Sequence, residues 1–210
     1  MINFKIILNV LGYLLIALSL VMLIPMIIDL GVGNNSWKSF ITSAIITFGF
    51  GFTFLISTRK EENNKILMQD AFLITSLSWL SISIFGAFPF YFSENSFGIT
   101  NSIFESMSGI TTTGSSIIQN VEALTEGMLI WRGLLQWVGG IGIIVMAVSI
   151  LPVLRVGGMQ VFRTESSDTT EKMLPRTTQI ASAVILIYLI LTLSCLAAYW
   201  LGGMNLFDAL

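Results

Sequence analysis

The middle of the chain carries the turn Gly109-Ile110-Thr111-Thr112-Thr113-Gly114-Ser115-Ser116, which is rich in glycine and hydroxyl groups. It follows a short segment, Asn101 to Ile110, that is predicted to be helical. A helix of about ten residues rises about 15 Å, roughly half of the hydrocarbon thickness of a bilayer. Non-helical backbone inside a membrane has to find partners in protein, water or ions, because lipid offers no hydrogen bonds. We therefore expect a re-entrant segment that ends in a functional turn.

The composition indicates a membrane protein. Of the 210 residues, 54% are hydrophobic and 10% are charged, and the mean hydropathy is +0.85. Soluble domains carry about 25% charged residues. The net charge of −2, with the basic residues confined to loops, argues against a nucleic-acid partner. The sole cysteine, Cys195, lies in an apolar run and is predicted to be a buried, inert thiol.

The sequence argues against an enzyme. It contains no histidine, the commonest general base and metal ligand. It also lacks a Gly-x-Ser-x-Gly or His-Glu-x-x-His motif. We therefore expect neither hydrolytic nor zinc chemistry, and no bound cofactor.

Charged residues divide the chain into five uncharged windows of about 20 residues or more, the length that a helix needs to cross a bilayer. These windows predict an all-α membrane protein with five crossings. A sixth window, Ser106–Asn120, is shorter and polar at its centre, which favours a re-entrant segment. The five windows are Ile6–Ile28, Ser39–Thr58, Ala71–Ser93, Gly133–Leu154 and Thr177–Phe207.

The first window could instead belong to a signal peptide. The apolar region of a signal peptide has 7–15 residues and is followed by a cleavage site with small residues. The window here is longer, and no such site follows it. A retained helix is therefore the prediction.

The basic residues predict that the N-terminus is cytoplasmic, because loops on the cytoplasmic side carry an excess of Lys and Arg. This orientation also places Trp37, Trp131 and Trp200 near the outer interface, where an indole ring can lie in lipid with its N–H in water. Eight basic residues then lie inside, Lys5, Arg59, Lys60, Lys65, Arg155, Arg163, Lys172 and Arg176, against Lys38 and Arg132 outside.

Residues Thr111, Thr112, Thr113 and Gly114, called the threonine turn below, offer oxygen ligands for a partly dehydrated monovalent cation. Backbone carbonyls supply a moderate field without a fixed charge that would trap the ion. Threonines favour extended backbone, and their hydroxyls add further oxygens. Gly114 is predicted to adopt the positive φ that keeps successive carbonyls on one side. The alternative is a polar outer loop that binds no ligand.

Other polar residues near the turn have two interpretations each. An ion pair between Glu105 and Arg132 could brace the turn, or Arg132 could extend to the membrane interface instead. Glycines in the fourth window favour close helix packing over direct ion contact. These glycines are Gly139, Gly140 and Gly142. The outer acidic residues Glu94, Glu122 and Glu126 could concentrate cations, although a solvated face is the preferred interpretation.

The end of the chain repeats a pattern seen near the turn. Residues 205–210, Asn-Leu-Phe-Asp-Ala-Leu, echo residues 102–107, Ser-Ile-Phe-Glu-Ser-Met, and each hexapeptide follows an apolar window and an outer loop. Self-similarity of this kind is the mark of an internal repeat. A second short helix is therefore predicted to begin at the end of the chain.

Three motifs in this order resemble the Trk/Ktr/HKT potassium-uptake family, specifically its TrkH-type membrane subunit. The first motif is residues 104–114, Phe-Glu-Ser-Met-Ser-Gly-Ile-Thr-Thr-Thr-Gly, and the second is residues 134–142, Leu-Leu-Gln-Trp-Val-Gly-Gly-Ile-Gly. The third combines residues 150–152, Ile-Leu-Pro, with residues 156–160, Val-Gly-Gly-Met-Gln, and with Arg163 and Glu165.

The resemblance implies an architecture of four repeats, each made of a span, a pore helix, a filter and a second span. Residues 1–69 would form the extra N-terminal helix pair of the TrkH type and residues 70–154 the first repeat. A cytoplasmic loop, 155–176, would precede the truncated second repeat, 177–210. The chain is therefore expected to be an N-terminal fragment.

The resemblance also implies a function. Potassium would be the transported ion, held at Thr112 and Thr113, with Thr111 and Gly114 completing the filter and Glu105, Ser115 and Arg132 supporting it. The expected partners are a second copy of the subunit, the lipid bilayer and a cytoplasmic TrkA-type nucleotide-binding ring. The location that the resemblance implies is the inner membrane of a bacterial-type cell. The alternative is a non-conducting membrane scaffold. The sequence does not decide between potassium and sodium, or between a channel and an ion-coupled transporter.

Overall fold

The computed structural model describes residues 3–58, 68–94, 97–154 and 169–209. Every regular element within these ranges is a helix, as the sequence predicts. The basic positions Arg59, Lys60, Lys65, Arg155 and Arg163, on which the predicted orientation largely depends, lie outside the described residues.

Five helical stretches in the described ranges are long and apolar enough to cross a membrane. This agrees with the five predicted windows, and the chain is a multi-pass membrane protein. The stretches are Phe4–Val32, Trp37–Thr58, Gln69–Tyr91, Glu126–Ile144 and Ala181–Leu201.

The first window forms two helices, α1 (Phe4–Val21) and α2 (Leu23–Val32), rather than one. Pro25 explains the break. Its nitrogen has no hydrogen to donate to the carbonyl of Val21, and its ring crowds that carbonyl, so the regular helix stops there. The Met22 N–H still donates to the carbonyl of Leu18 at 3.1 Å, so the hydrogen bonding of α1 extends to the join.

Helix α3 (Trp37–Thr58) packs along α1 at a crossing made by two glycines. A Cβ atom on Gly12 would lie 3.0 Å from the carbonyl oxygen of Gly51, and a Cβ atom on Gly51 would lie 2.9 Å from that of Gly12. Small residues allow such backbone contact between helices in membranes. The crossing is also fixed by a hydrogen bond of 2.9 Å from Asn9 Nδ2 to Thr58 Oγ1.

The third window forms α4 (Met68–Gly86) and the short α5 (Phe88–Tyr91), with Pro89 in the first turn of α5 where a missing donor costs least. A short helix follows, α6 (Ile99–Ile110), and then α7 (Glu126–Leu154). Helix α7 begins before the predicted window, which starts at Gly133. The charge of Arg132 therefore lies inside the helix rather than at its start.

The core of residues 1–140 is formed where α1, α2, α3, α5 and α7 meet. Trp131 is fully buried there, in an edge-on contact with Phe40 at 6.3 Å between ring centroids. Its indole N–H donates to the carbonyl oxygen of Gly86 at 3.0 Å. The prediction that the Trp131 ring lies in lipid with its N–H in water is therefore wrong, because the ring is buried in protein and a carbonyl within the protein satisfies this donor.

Residues 141–210 form a second compact unit. Helix α8 (Thr169–Leu201) starts inside the segment predicted to be a loop and ends six residues before the predicted window does. A turn at Gly202 and Gly203, the latter with φ +97°, leads into the short α9 (Leu206–Ala209). Helix α9 falls on the hexapeptide predicted to begin a second short helix. Cys195 is exposed on α8, which contradicts the predicted buried thiol.

Candidate functional site

Helix α6 buries its polar side and exposes its apolar side. Ser102, Glu105 and Ser106 are buried, whereas Ile99 and Phe104 are 63% and 43% exposed. This is the reverse of a helix on the surface of a soluble protein. It is the arrangement expected of a helix surrounded by lipid or by further apolar protein. At 12 residues the helix rises about 18 Å, which is too short to cross a bilayer.

The end of α6 is a Schellman motif in which a threonine takes the place usually held by glycine. The N–H of Thr112 donates to the carbonyl of Gly109 at 2.9 Å, and the N–H of Thr113 donates to the carbonyl of Ser108 at 3.0 Å. Thr112 adopts φ +56°. The left-handed region is unfavourable for a β-branched residue, and strain of this kind tends to occur at functional sites.

The threonine turn is therefore less extended than the sequence predicts. Thr111 ends the helix at φ −81° and ψ 1°, and Thr112 is left-handed, so the β-branched preference for extended backbone is overridden at both positions. The cause is the helix, whose last carbonyls need donors and take the N–H groups of the turn. The predicted positive φ at Gly114 is confirmed, at +75°.

The threonine turn leaves its own carbonyls available. Among the described residues, no hydrogen bond ends on the carbonyl oxygens of residues 111–114, although their neighbour Ser115 O accepts one. Thr112, Thr113 and Gly114 are exposed. The hydroxyls of Thr111 and Thr113 lie 2.8 Å apart. The negative end of the α6 dipole points to this place. The turn thus combines uncharged oxygens with a favourable field for a cation.

A buried carboxylate ties the segment after the turn to α6 and α7. Glu105 is 3% exposed and forms an ion pair with Arg132 through its Oε2 atom. Its Oε1 atom accepts hydrogen bonds from the Ser116 hydroxyl at 2.5 Å and from the Ile117 N–H at 2.9 Å. These four residues are called the carboxylate brace below. Arg132 pairs with Glu105 rather than extending to the membrane interface.

Ser116 is a member of the brace that the sequence did not reveal. Its hydroxyl donates to Glu105 and accepts from Arg132 Nη1 at 3.3 Å and from the Ile118 N–H at 3.1 Å. One donor and two acceptor sites are all that a serine hydroxyl offers, so its capacity is fully used. Nothing in the local sequence distinguishes Ser116 from Ser115, since both follow the glycine.

A second tie holds the turn from the side of α6. The Ser108 hydroxyl donates to the carbonyl oxygen of Ser115 at 2.6 Å. Ser115, predicted to support the turn, therefore contributes its backbone, and Ser108 supplies the side chain. Ser108 was also missed, because a serine inside a helix more often bonds to the preceding turn of the helix itself.

Helix α7 fits closely against the end of α6 through glycine. A Cβ atom on Gly139 would overlap the carbonyl oxygen of Ile110, the last residue of α6. A Cβ atom on Gly109 would lie 3.0 Å from the Cβ of Leu135. The packing role predicted for Gly139 is confirmed, whereas a Cβ on Gly142 would meet no described atom within 4 Å.

The acidic residues that are predicted to lie on the outer side differ in their contacts. Glu126 Oε2 accepts a hydrogen bond of 2.6 Å from Asn34 Nδ2, so this carboxylate holds the N-terminal helix pair and is not a free charge. Glu122 is exposed in a short 3₁₀ turn, as a solvated face predicts. Within the described ranges, no cluster of three or more acidic, thiol or imidazole ligands is present for a metal ion.

Comparison with known proteins gives a consistent result. The family model TrkH, described as "Cation transport protein", matches residues 36–210. The chain is 42% identical to the Trk system potassium uptake protein TrkI of Halomonas elongata, over 97% of this chain and 41% of that protein. It is 38% identical to the Trk system potassium uptake protein TrkH of Escherichia coli K12, over 99% of this chain and 44% of that protein.

Among solved structures, the potassium transporter TrkH from Vibrio parahaemolyticus matches with a TM-score of 0.84 and 33% identity, over 99% of this chain and 42% of that one. The chain thus spans about two fifths of the length of the relatives that it matches. These relatives are transport proteins, and the prediction that the chain is not an enzyme is confirmed by them.

Proposed function

We propose, from the premise that the chain belongs to the TrkH family of cation transport proteins, that it forms part of a pore for potassium uptake. The threonine turn would supply the carbonyl oxygens that replace water around the ion, with Thr112 and Thr113 at the ion itself. Carbonyl dipoles attract a monovalent cation strongly enough to remove water and weakly enough to release it. No residue of the turn carries a charge.

The observation that carries this proposal is the hydrogen bonding of the threonine turn, which follows α6. The N–H groups of its three threonines donate to carbonyls of α6, while the carbonyl oxygens of residues 111–114 accept no hydrogen bond from the described residues. In a membrane such groups cost several kcal/mol each unless an ion or water takes them up. A polar outer loop without a ligand would not need the buried carboxylate brace to hold its backbone.

The proposed architecture is the one that the family resemblance implies. Residues 1–69 would be the N-terminal helix pair, 70–154 the first repeat, 155–176 a cytoplasmic loop and 177–210 the start of a second repeat. Helix α6 would be a re-entrant pore helix and the threonine turn one quarter of a filter ring. The protein would work as a homodimer in the inner membrane, with its N-terminus in the cytoplasm and a TrkA-type nucleotide-binding ring as regulator.

The test is rubidium uptake by the full-length protein in cells that lack their own potassium uptake, with sodium as competitor. We expect saturable uptake by the wild type. Glu105→Gln should raise the KM for rubidium and weaken the preference over sodium, because Arg132 loses its charged partner and the segment after the turn loosens. Breaking a buried pair costs on the order of 3–5 kcal/mol.

The matched control is Glu122→Gln, which removes an exposed outer carboxylate outside the brace. It should change neither the KM nor the ion preference by more than about twofold, since screened surface charges contribute little. Absence of saturable uptake by the wild type would contradict the proposed function. Equal effects of the two substitutions would contradict the role of the brace.

A further inference from the structure

Asp29 is a carboxylate buried far from the turn in sequence and unused by the proposed ion site. It lies on α2 with no exposed surface. Within the described part of the chain it has no basic partner, so hydrogen bonds alone must offset its burial. Its Oδ1 accepts from the Gly127 N–H at 2.8 Å, and its Oδ2 accepts from the Thr125 hydroxyl at 3.3 Å. Asn34 Nδ2 lies at 3.5 Å from Oδ1.

These bonds make Asp29 a cap for the N-terminus of α7, supplied by another helix. The N–H groups of the first turn of a helix have no partner within it, and a negative charge beside them is favourable. Thr125 caps the same end locally, since its hydroxyl accepts from the Met128 N–H at 3.4 Å. Asp29 therefore adds a tertiary contact to an end that already has a local cap.

The fit at Gly127 shows that the approach is close. A Cβ atom at this position would lie 2.5 Å from the carboxyl carbon of Asp29. This distance is too short for a residue with a side chain unless the carboxylate moves. A glycine inside the first turn of a helix is otherwise unfavourable, because it lowers helix propensity. The absence of a side chain at Gly127 is thus what lets the carboxylate reach the helix end.

The capped end leads directly to the carboxylate brace. Arg132 follows Gly127 by five residues, a rise of about 7.5 Å along one rigid helix. Trp131, beside Arg132, is bonded to the carbonyl of Gly86, so Asp29 and Trp131 together hold the part of α7 that carries Arg132. A shift or rotation of the first turns of α7 would therefore move the guanidinium of Arg132 relative to Glu105, and with it the segment that follows the threonine turn.

We propose that Asp29 is a positioning residue for the ion site, acting through the N-terminus of α7 and the Arg132–Glu105 pair. This gives the N-terminal helix pair a role in ion binding although it contributes no residue to the turn. The inference rests on the proposed function, since it concerns the geometry of the same turn.

The test compares Asp29→Ala with Asp29→Asn in the full-length protein, with rubidium uptake normalised to the amount of protein in the membrane. Alanine removes both acceptors, and we expect the KM for rubidium to rise about fivefold, the factor that corresponds to one helix cap. Asparagine keeps an acceptor for Gly127, and the KM should return to within about twofold of the wild type because asparagine is as good a cap as aspartate.

Gly127→Ala approaches the same contact from the other side. Its methyl group would push the Asp29 carboxylate away, so we expect the same rise in KM as for Asp29→Ala. Gly133→Ala on the same helix is the control, because a Cβ there meets no described atom within 4 Å. Asn9→Ala is a second control, since it removes a hydrogen bond within the N-terminal pair that does not touch α7.

A double substitution decides whether Asp29 acts through the brace. In a Glu105→Gln background, Asp29→Ala should add no further change in KM, because the pair that it positions is already broken. If the change in KM of the double variant were instead the product of the two single changes, the inference would be overturned. So would a loss of membrane protein with an unchanged KM in all Asp29 variants, which is what a purely structural role predicts. Absence of saturable uptake by the wild type would instead overturn the proposed function and the inference with it.

Discussion

Two residues of the threonine turn have positive φ, for different reasons. Gly114, at +75°, has the conformational freedom that the position needs. Thr112, at +56°, is held there by the two hydrogen bonds that close α6. The left-handed conformation costs an L-residue about 1–2 kcal/mol, so the helix end stabilises a strained threonine. Strain at Thr112 and freedom at Gly114 together set the direction of the carbonyls between them.

At the residue scale we predict that Gly114→Ser weakens ion binding or selectivity without disturbing membrane insertion. A Cβ at Gly114 meets no described atom within 4 Å, so the cost is the backbone strain of about 1–2 kcal/mol and not a clash. Relief of that strain would turn a carbonyl away from the ion. Rubidium uptake against external concentration, with sodium as competitor, measures the effect.

The control for Gly114→Ser is Thr112→Ser, which keeps the hydroxyl and removes one branch at Cβ. It should be mild, because serine is less crowded than threonine in the left-handed region. If Gly114→Ser behaves like the wild type at equal expression, the assignment of residues 111–114 as the filter is wrong.

The elements around the turn are assembled by contacts that need glycine. Helices α1 and α3 cross at Gly12 and Gly51, and α7 meets the end of α6 at Gly139. In a membrane, where burial of apolar surface does little to hold helices together, such close backbone contact supplies much of the packing energy. The fold of residues 1–140 therefore depends on small residues as much as on its aromatic core.

At the element scale we predict that Gly139→Ala separates α7 from α6. The new methyl group would overlap the carbonyl oxygen of Ile110, and overpacking of this kind costs about 1–3 kcal/mol or more. The thermal midpoint of the detergent-solubilised full-length protein should fall, and rubidium uptake should fall with it.

Gly142→Ala on the same helix is the comparison for Gly139→Ala. A Cβ at Gly142 meets no described atom within 4 Å, and alanine favours the helix by up to about 1 kcal/mol. Its thermal midpoint should be unchanged or higher. A drop of similar size in both variants would mean that helix propensity or lipid contact, and not the approach to Ile110, accounts for the effect.

At the scale of the whole molecule we predict a cytoplasmic N-terminus. The variants Lys65→Cys and Asn120→Cys each report on one side of the membrane. Both are made in a Cys195→Ser background, which removes the exposed thiol on α8. An impermeant thiol reagent added outside intact cells should label the Asn120 position, which is exposed beyond the turn. It should label the Lys65 position only after the cells are opened, because the excess of basic residues holds that loop inside. If the cysteine at position 65 were labelled from outside intact cells, the predicted topology would be wrong.

We also predict that the 210-residue chain by itself supports no potassium uptake. On the proposed plan the chain supplies one quarter of a filter ring, and carbonyls without partners in lipid cost several kcal/mol. The chain spans only about two fifths of its relatives, which fits a need for further repeats. The measurement is growth and rubidium uptake in uptake-deficient cells, with the full-length protein as reference. Uptake by the short chain at the level of the reference would contradict the plan unless copies of the chain assemble into a pore.

The sequence alone determined the features that depend on one residue or one continuous segment. Hydropathy and window length predicted the five spans, the short length of α6 followed from the polar turn, and the positive φ at Gly114 followed from the lack of a side chain. The family resemblance is of the same kind, since each of its three motifs lies within one short stretch of the sequence. Hydropathy is summed over residues that are adjacent in the sequence, so its value does not depend on how the rest of the chain folds.

Only the tertiary structure decided which distant groups meet. The sequence could not show that Trp131 donates to Gly86 inside the protein, or that Glu105 holds Ser116 as well as Arg132. It gave no sign that Asp29 caps a helix starting 97 residues later, at Glu126. Even the strain at Thr112 is imposed by the carbonyls at the end of α6. A buried polar group must find a partner somewhere, but the packing of the helices, and not its own neighbours, determines which one.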